Sequence, residues 1–416
     1  MINQFELLAP AGSTEALDAA LRFGADAVYV GGPKLQLRAG SVGFTMDALA
    51  GAADRVHALG KKLYVTVNAF PDNREIDALG DYAQALFSVG ADAAIVADLG
   101  AISVMRRAAP GLAIHVSTQA NCLNYAAARV YHDMGATRVV LGREMTLEQI
   151  AELRAKTPSD LELEAFVHGA MCMAYSGRCM ISACLTGRSA NRGACTQSCR
   201  WKYALVEEKR PGEFFPVEEG ADGTTILSSF DLNCLDFIDR IMAAGVTSFK
   251  LEGRMKSPYY VATVTNAYRR RIDGILDGTA APESIAALQA ELNAASHRAY
   301  ASGFYFGEMK KHAPDDGVYL QDCVFVGTVR ARLPGGRVRV ELRNRFRAGD
   351  VIEVLSPNRL GLSFPAAHIT GTDGAPLDEA AVPMALYDMD APPGVEVGDY
   401  LRVRKQASMP AHHEVL

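Results

Sequence analysis

Five of the eight cysteines in this chain, Cys172, Cys179, Cys184, Cys195 and Cys199, crowd between residues 164 and 201. Four of them make two close pairs, Cys172 with Cys179 and Cys195 with Cys199, separated by a segment rich in Gly, Ser and Arg. Gly177, Gly187 and Gly193 interrupt any continuous helix, so the backbone can fold round a compact object instead of packing as a core element. Clustered thiolates of this kind suit a metal. The intervals of six, fifteen and three residues are irregular for zinc, whose cysteine pairs are usually spaced by about two to four residues. An iron-sulfur cluster also takes four thiolates and has no single obligatory spacing. Spacing alone leaves cluster and zinc open, along with redox-active cysteines that hold no metal.

Acidic, basic and amide side chains recur elsewhere at regular places. Arg38, Gln119, Arg143, Glu144, His168, Glu252 and Arg254 each stand shortly after a run of strand-forming residues. Strands are expected at 6–9, 27–30, 63–68, 93–97, 113–117, 138–141, 161–167 and 248–251. Ala- and Leu-rich amphipathic runs at 14–23, 45–59, 76–89, 124–134 and 146–156 read as helices between them. Alternation of buried-type strands with helices predicts a parallel sheet, and eight such units predict a closed TIM-like (β/α)8 barrel. An open doubly wound sheet is the alternative. In a barrel, chemistry sits where strands end and the following loops begin. Ser13, Asp98 and Thr146 at such places read as helix caps. The remaining arginines and glutamates exceed what capping needs. His168, four residues before Cys172, is open to a functional or a hydrogen-bonded structural role. The connection at 169–246, which carries the cysteines, is far longer than a usual βα loop and reads as a functional insertion.

With 416 residues, 49% hydrophobic and 22% charged, the chain can bury a large core and more than one domain. No apolar run approaches the roughly 20 residues of a membrane span. The first residues lack the basic start and apolar core of a signal peptide, so a cytoplasmic, membrane-free protein is expected. In that reducing compartment clustered cysteines are ligands or redox groups more often than disulfides. A formal net charge of -6 gives no global basic signature, so contact with nucleic acid has to rest on local patches.

Several ordered motifs carry a resemblance. EAFVHGAMC at 164–172 and GRCMIS at 177–182 resemble the signature of the collagenase-like peptidase family U32. ELLAPAGS at 6–13, GADAVYVGG at 24–32, RGACTQSCRW at 192–201 and SFKLEGRMKSPYYVATVTNAYR at 248–269 extend it over most of residues 5–275. The resemblance implies an iron-sulfur protein on a TIM-like barrel. It points to oxygen-independent hydroxylation of a tRNA wobble uridine to 5-hydroxyuridine, of a ribosomal RNA cytidine, or of a quinone ring. The tRNA branch is similar in length and in its Cys-x3-Cys-Arg-Trp ending, and implies prephenate, a small dicarboxylate, as hydroxyl donor. A 4Fe-4S cluster would take Cys172, Cys179, Cys195 and Cys199, with Cys234 as the alternative fourth ligand. Cys122, Cys184 and Cys323 lie outside the motifs and read as small buried residues. His168, Glu144 and Glu252 are then the catalytic candidates, and Gln119, Arg143, Arg254 and Arg38 the substrate-binding ones. Arginines suit a dicarboxylate through bidentate pairing. A second family member as hetero-partner is left open. Peptidase activity is the alternative function, although the chain has neither His-Glu-x-x-His nor Gly-x-Ser-x-Gly.

Past the last expected strand, helices are read at 257–276 and 280–297. Pro- and Asp-rich sequence at 313–317 then divides a barrel domain, residues 1–312, from a C-terminal domain, residues 318–416. From Cys323 the alternation of apolar and polar residues predicts a small antiparallel β-barrel with hairpin turns. Seven arginines stand against Glu341 alone between Arg330 and Arg347. They are readable as a grip on the phosphates of tRNA or as solvated β-edge charge.

Overall fold

The computed structural model describes residues 5–37, 43–171, 181–188, 190–198, 230–307, 319–357 and 359–405, with four short stretches between 205 and 225. Seven parallel strands follow one another: β1 (Glu6–Ala11), β2 (Ala27–Gly31), β3 (Lys62–Val67), β4 (Ala93–Val96), β5 (Ala113–Val116), β6 (Arg138–Val140) and β7 (Glu162–Ala170). The eighth, β8 (Ser248–Leu251), sets Ser248 opposite both Glu6 of β1 and Glu164 of β7, and this double pairing closes the cylinder. The strands are buried on both faces, which explains their nearly continuous Val, Ile, Leu and Ala composition.

Helices α1 (Thr14–Arg22), α2 (Met46–Ala58), α3 (Asn73–Asp77), α4 (Leu79–Ser88), α5 (Leu99–Ala108), α6 (Tyr125–Asp133), α7 (Leu147–Ala155) and α8 (Pro258–Leu276) alternate with the strands. Their starts follow the expected chemistry. Ser13 accepts from Ala16 N, Asp98 accepts from Ala101 N, and Thr146 with Gln149 forms a reciprocal capping box. Among the described residues no helix is long and apolar enough to cross a membrane.

β7 runs to Ala170, three residues past its expected end at 167. A short strand from the insertion, Asp231–Asn233, pairs antiparallel with its last residues and extends it, a contact no local pattern could announce.

The lower part of the barrel interior is charged. Arg138 reaches Glu6 at 2.5 Å, Glu162 at 2.6 Å and Glu164 at 3.0 Å, and Lys250 Nζ donates to Glu164 Oε1 at 2.6 Å. Tyr64 Oη donates to Glu6 Oε2 at 2.6 Å, and Ser248 Oγ lies 2.9 Å from Glu6 and 3.2 Å from Glu164. Burial pushes the Glu6 carboxyl up, but the Arg138 guanidinium and these hydrogen bonds more than offset it and hold it below its ordinary value.

The chain divides into two compact units, residues 1–286 with 297–319 and residues 287–296 with 320–416. The sequence places a boundary near 313–317, yet residues 287–296 fold with the second unit. Glu291 is part of the reason, since it pairs at 2.6 Å with the buried Arg402, 111 residues away. That unit is a seven-stranded antiparallel sheet. Its main strands are β9 (Cys323–Leu333), β10 (Arg337–Leu342), β11 (Val351–Leu355), β12 (Leu386–Asp390) and β13 (Tyr400–Arg404). Inward residues such as Val329, Val340, Ile352, Met389 and Leu401 share one core. Gly335 and Gly336, both at positive φ near 77°, turn β9 into β10.

Arg138→Met strands buried carboxylates and is expected to cost about 3–5 kcal/mol in urea unfolding. Because the folded pKa of Glu6 lies below its ordinary 4.5, its stabilisation is complete above that pH and is lost as pH falls through the depressed value. Glu6→Gln should remove that part of the acid sensitivity. An unchanged acid limb in the variant would show that the network carries no such linkage.

Candidate active site at the barrel mouth

Above the charged layer, at the C-terminal ends of the strands, lies a cavity. Gln119, Arg143, Glu252 and Arg254 all line it, so four of the rim residues singled out from sequence share one site. Thr66, Asn68, Ser117 and Lys250 add polar atoms, and Tyr29, Ile95, Val140 and Phe166 form apolar walls.

Each polar residue is positioned from below. Gln119 sits in a 3-10 turn, Thr118–Ala120, that opens on the Ser117 hydroxyl and ends on Asn121 at φ 54°. Thr118 Oγ1 ties this turn to Leu141 O at 3.1 Å. The Arg143 guanidinium stacks 3.8 Å from the Phe166 ring centroid and donates to Ala170 O at 2.7 Å. Its Nε is buried without a partner among the described residues. Arg254, 6% exposed, donates to Thr66 Oγ1 at 2.7 Å, and Thr66 in turn donates to Val30 O at 3.2 Å. A Cβ at Gly31 would stand 1.9 Å from Gln36 Oε1 and 2.9 Å from Arg254 Nη1, so those side chains would have to shift. Glu252 is held by its own N–H, which donates to His168 O at 2.9 Å. Gly169, at φ 102°, lets that segment pass where a Cβ would meet Glu252 Cβ at 2.8 Å.

Lys250 is a site residue that the sequence pattern did not single out. The other candidates stand just beyond strand ends, whereas Lys250 lies inside a strand; a lysine within the buried run Ser248–Leu251 was the available signal. Burial pulls its ammonium below the ordinary range, and Glu164 opposes the pull.

Other expected residues stand elsewhere. Glu144 is half-buried over Gly142 and does not line this cavity. His168 is turned away from it. The β7–β8 register slips by one residue, Lys250 facing Phe166 and Leu251 facing His168, and the extra residue aims His168 at the helices outside the barrel. Its ring is 5.4 Å from those of Tyr268 and Tyr300, and burial holds its pKa down to about 3. His168 therefore lies outside this cavity, with its Nε2 buried and without a partner among the described residues, and Glu252 is the carboxylate that lines the mouth. Arg38, Cys172, Cys179 and Cys199 lie outside the described residues.

Two candidate ligand cysteines are described. Cys195 Sγ accepts from Gln197 N at 3.4 Å and lies 4.0 Å from Ser182 Oγ, surroundings that suit a thiolate ligand. Cys234 follows the strand Asp231–Asn233 and is wholly buried, and burial pushes its thiol well up. A ligand there would need the metal's charge to ionise it. Cys122 and Cys323 are buried, both pushed up to about 11 by burial, in keeping with packed small residues.

The seven arginines between 330 and 347 are paired. Arg330 and Arg343 meet Glu341 at 3.0 and 3.1 Å, Arg339 meets Asp388 at 2.7 Å, and Arg332 meets Glu396 at 2.9 Å. Arg337 lies 3.5 Å from Asp390, while Arg345 and Arg347 share Glu379 at 3.9 and 3.5 Å. The acids come mostly from residues 379–396, beyond the window in which the arginines stood almost alone. The positive stripe legible in sequence is thus largely neutralised, and its most exposed members are Arg345 and Arg347.

Compared with known proteins, residues 12–315 match peptidase family U32 and residues 321–402 match the peptidase family U32 C-terminal domain. The chain is 35% identical to tRNA hydroxylation protein P of Escherichia coli over 89% of its own length and 90% of that protein's. It is 37% identical to tRNA hydroxylation protein P1 of Bacillus subtilis, with 92% and 90% covered. A collagenase of Porphyromonas gingivalis is 36% identical, with 74% and 75% covered.

His168 supplies a pH test. The unfolded ring protonates near 6.5 and the folded ring only near 3, so its stabilising contribution is full above pH 6.5 and falls as pH drops between those values. His168→Phe should flatten that part of the stability profile while leaving ligand binding at the mouth unchanged. A variant that keeps the slope but loses binding would return His168 to the site.

Proposed function

The chain belongs to peptidase family U32, and from that premise we propose that it hydroxylates tRNA, forming 5-hydroxyuridine at the wobble position with prephenate as hydroxyl donor. The observation that carries the reading is the mouth cavity, which Arg143, Lys250 and Arg254 line together with one carboxylate, Glu252, and apolar walls. Such a site favours a small anion with an apolar body, since fixed cations in a secluded cavity need no reorganisation to meet it. The relatives named tRNA hydroxylation protein P support tRNA as the molecule modified.

In this reading Arg143 and Arg254 take the donor's carboxylates, Arg143 held flat by Phe166 and Arg254 aimed by Thr66. Glu252 is the group at the mouth able to move a proton. Gln119 and Ser117 supply neutral hydrogen bonds beside it. A 4Fe-4S cluster on Cys172, Cys179, Cys195 and either Cys199 or Cys234 would supply one-electron chemistry. The hydrogen bond from Gln197 N to Cys195 Sγ supports a thiolate ligand there. Peptidase chemistry finds less support: no histidine lines the cavity among the described residues, and the Thr66 and Thr118 hydroxyls donate to backbone carbonyls. Arg345 and Arg347 are the arginines of the second unit best placed to meet tRNA phosphates.

Nucleoside mass spectrometry of tRNA from a deletion strain should show loss of 5-hydroxyuridine and its recovery on complementation. Intact modification in the deletion strain would sink the proposal. Arg254→Ala or Arg143→Ala should cut modification by about two orders of magnitude while the protein keeps its fold and iron. Anaerobically purified protein should carry about four irons per chain, lost in Cys195→Ala. Stoichiometric zinc in their place would exclude the cluster.

A further inference from the structure

A second cavity, of about 270 Å³, opens at the other end of the barrel, among the N-terminal ends of β3 to β7. Lys62, Tyr64, Asp92, His115, Arg138 and Glu162 line it, so it adjoins the charged layer and shares no residue with the mouth. Its groups are unevenly satisfied. His115 is 4% exposed, its ring meets that of Tyr64 edge-on at 4.7 Å, and its Nδ1 is buried without a partner among the described residues. Burial, together with the charges of Arg138, Lys250 and Lys62, holds its pKa well below 6.5, so the ring is neutral at pH 7. A neutral imidazole has one donor and one acceptor nitrogen, and a buried one left unmet is costly. The exposed Lys62 ammonium has no carboxylate partner among the described residues. Asp92 and Glu162 are each engaged through one oxygen only. Asp92 Oδ2 accepts from Leu63 N at 2.7 Å and lies 3.0 Å from His57 Nε2, and Glu162 Oε2 meets Arg138 at 2.6 Å. Asp92 Oδ1 and Glu162 Oε1 carry no hydrogen bond among the described residues.

A simple anion would meet Asp92, Asp160 and Glu162, and like charge there repels it. A simple cation would leave Lys62 unused and meet its charge and that of Arg138. Among the described residues no three His, Cys, Asp or Glu side chains are grouped to hold a metal ion, so a bare metal does not fit either. A molecule that carries both charges satisfies the set. We infer that this cavity is a second binding site, for a small zwitterion of the α-amino acid class. The carboxylate of such a ligand completes Lys62, and its ammonium takes the second oxygens of Asp92 and Glu162. His115 Nδ1 can accept from the ammonium or donate to the carboxylate, according to its tautomer. The remaining lining, Ala93, Ala113 and Thr137, offers little apolar wall, so the ligand's side chain is small or polar. The site stands on the face opposite the mouth and is independent of the hydroxylation reading.

The test takes the common α-amino acids one at a time against the full-length protein, first by thermal unfolding, where a ligand of the native state raises Tm, and then by calorimetric titration. At least one with a small or polar side chain should bind. That amino acid is then compared with its amine, which lacks the carboxylate, and with its hydroxy acid, which lacks the ammonium. Each should bind about tenfold more weakly or worse. Lys62→Met, at an exposed position, should bring the amino acid down to the affinity of its amine. His115→Phe, which keeps a ring against Tyr64, should weaken it by about tenfold. Glu162→Gln should weaken it as well, and because that change also takes a partner from Arg138, thermal unfolding checks its fold while Lys62→Met keeps the test open. Arg254→Ala, at the mouth, should leave the affinity unchanged. Absence of binding by every amino acid would overturn the assignment, as would an amine or hydroxy acid that binds as tightly as the amino acid. Wild-type affinity in Lys62→Met, or binding lost in Arg254→Ala, would overturn it too, the latter by placing the ligand at the mouth.

Discussion

The buried ion pairs of Glu164 govern this barrel. Its carboxylate is fully buried and is met by Arg138 from β6 and Lys250 from β8, with Ser248 beside it. A charge in that position is tolerable only when it is paired and hydrogen-bonded. The requirement ties together β1, β6, β7 and β8, because Glu6, Arg138, Glu164 and Lys250 must reach a common level inside the cylinder. A one-residue slip of any of these strands would turn its charge outward into the apolar layer beneath the helices. The pairs thus guard the register at the seam where the cylinder closes. They also bring Lys250 to the boundary between the charged layer and the mouth, with its stem and head inside the barrel.

The end of β7 is the second point of control. There the regular ladder gives way to a bulge, and successive backbone carbonyls become anchors. Val167 O accepts from Tyr268 Oη and from Cys234 N, His168 O accepts from Glu252 N, and Ala170 O accepts from Arg143. Within four residues the strand fixes Glu252 and Arg143 of the mouth and a cysteine behind it. Cys172 follows Ala170 by two residues. The chain that sets two mouth residues therefore leads directly into the first cysteine of the cysteine-rich segment.

The second unit shows how far charge in a sequence window can mislead. Its arginines alternate along β9 and β10 as the pattern required, yet strands that arrive later in the chain bring Asp388, Asp390, Glu379 and Glu396 against them. Cross-strand pairing of this kind favours sheet formation. It leaves little net field for steering a polyanion.

The barrel, its strand order and its helix starts were legible in the sequence because each rests on local rules. Buried parallel strands read as apolar runs, amphipathic helices repeat every turn, and Ser13, Asp98 and Thr146 cap whatever helix follows them. The convergence of Gln119, Arg143, Glu252 and Arg254 was legible for a topological reason, since strand ends of a closed barrel must face one another. What pairing across distant segments decides was hidden. Asp231–Asn233 lengthened β7, the one-residue slip turned His168 outward, and the depth of Lys250 depended on Glu164 and Arg138 lying at the same level. The sequence could name the residue types of the site. Which side of the wall each occupies is set by register, and register is a property of two strands that no single stretch of chain contains.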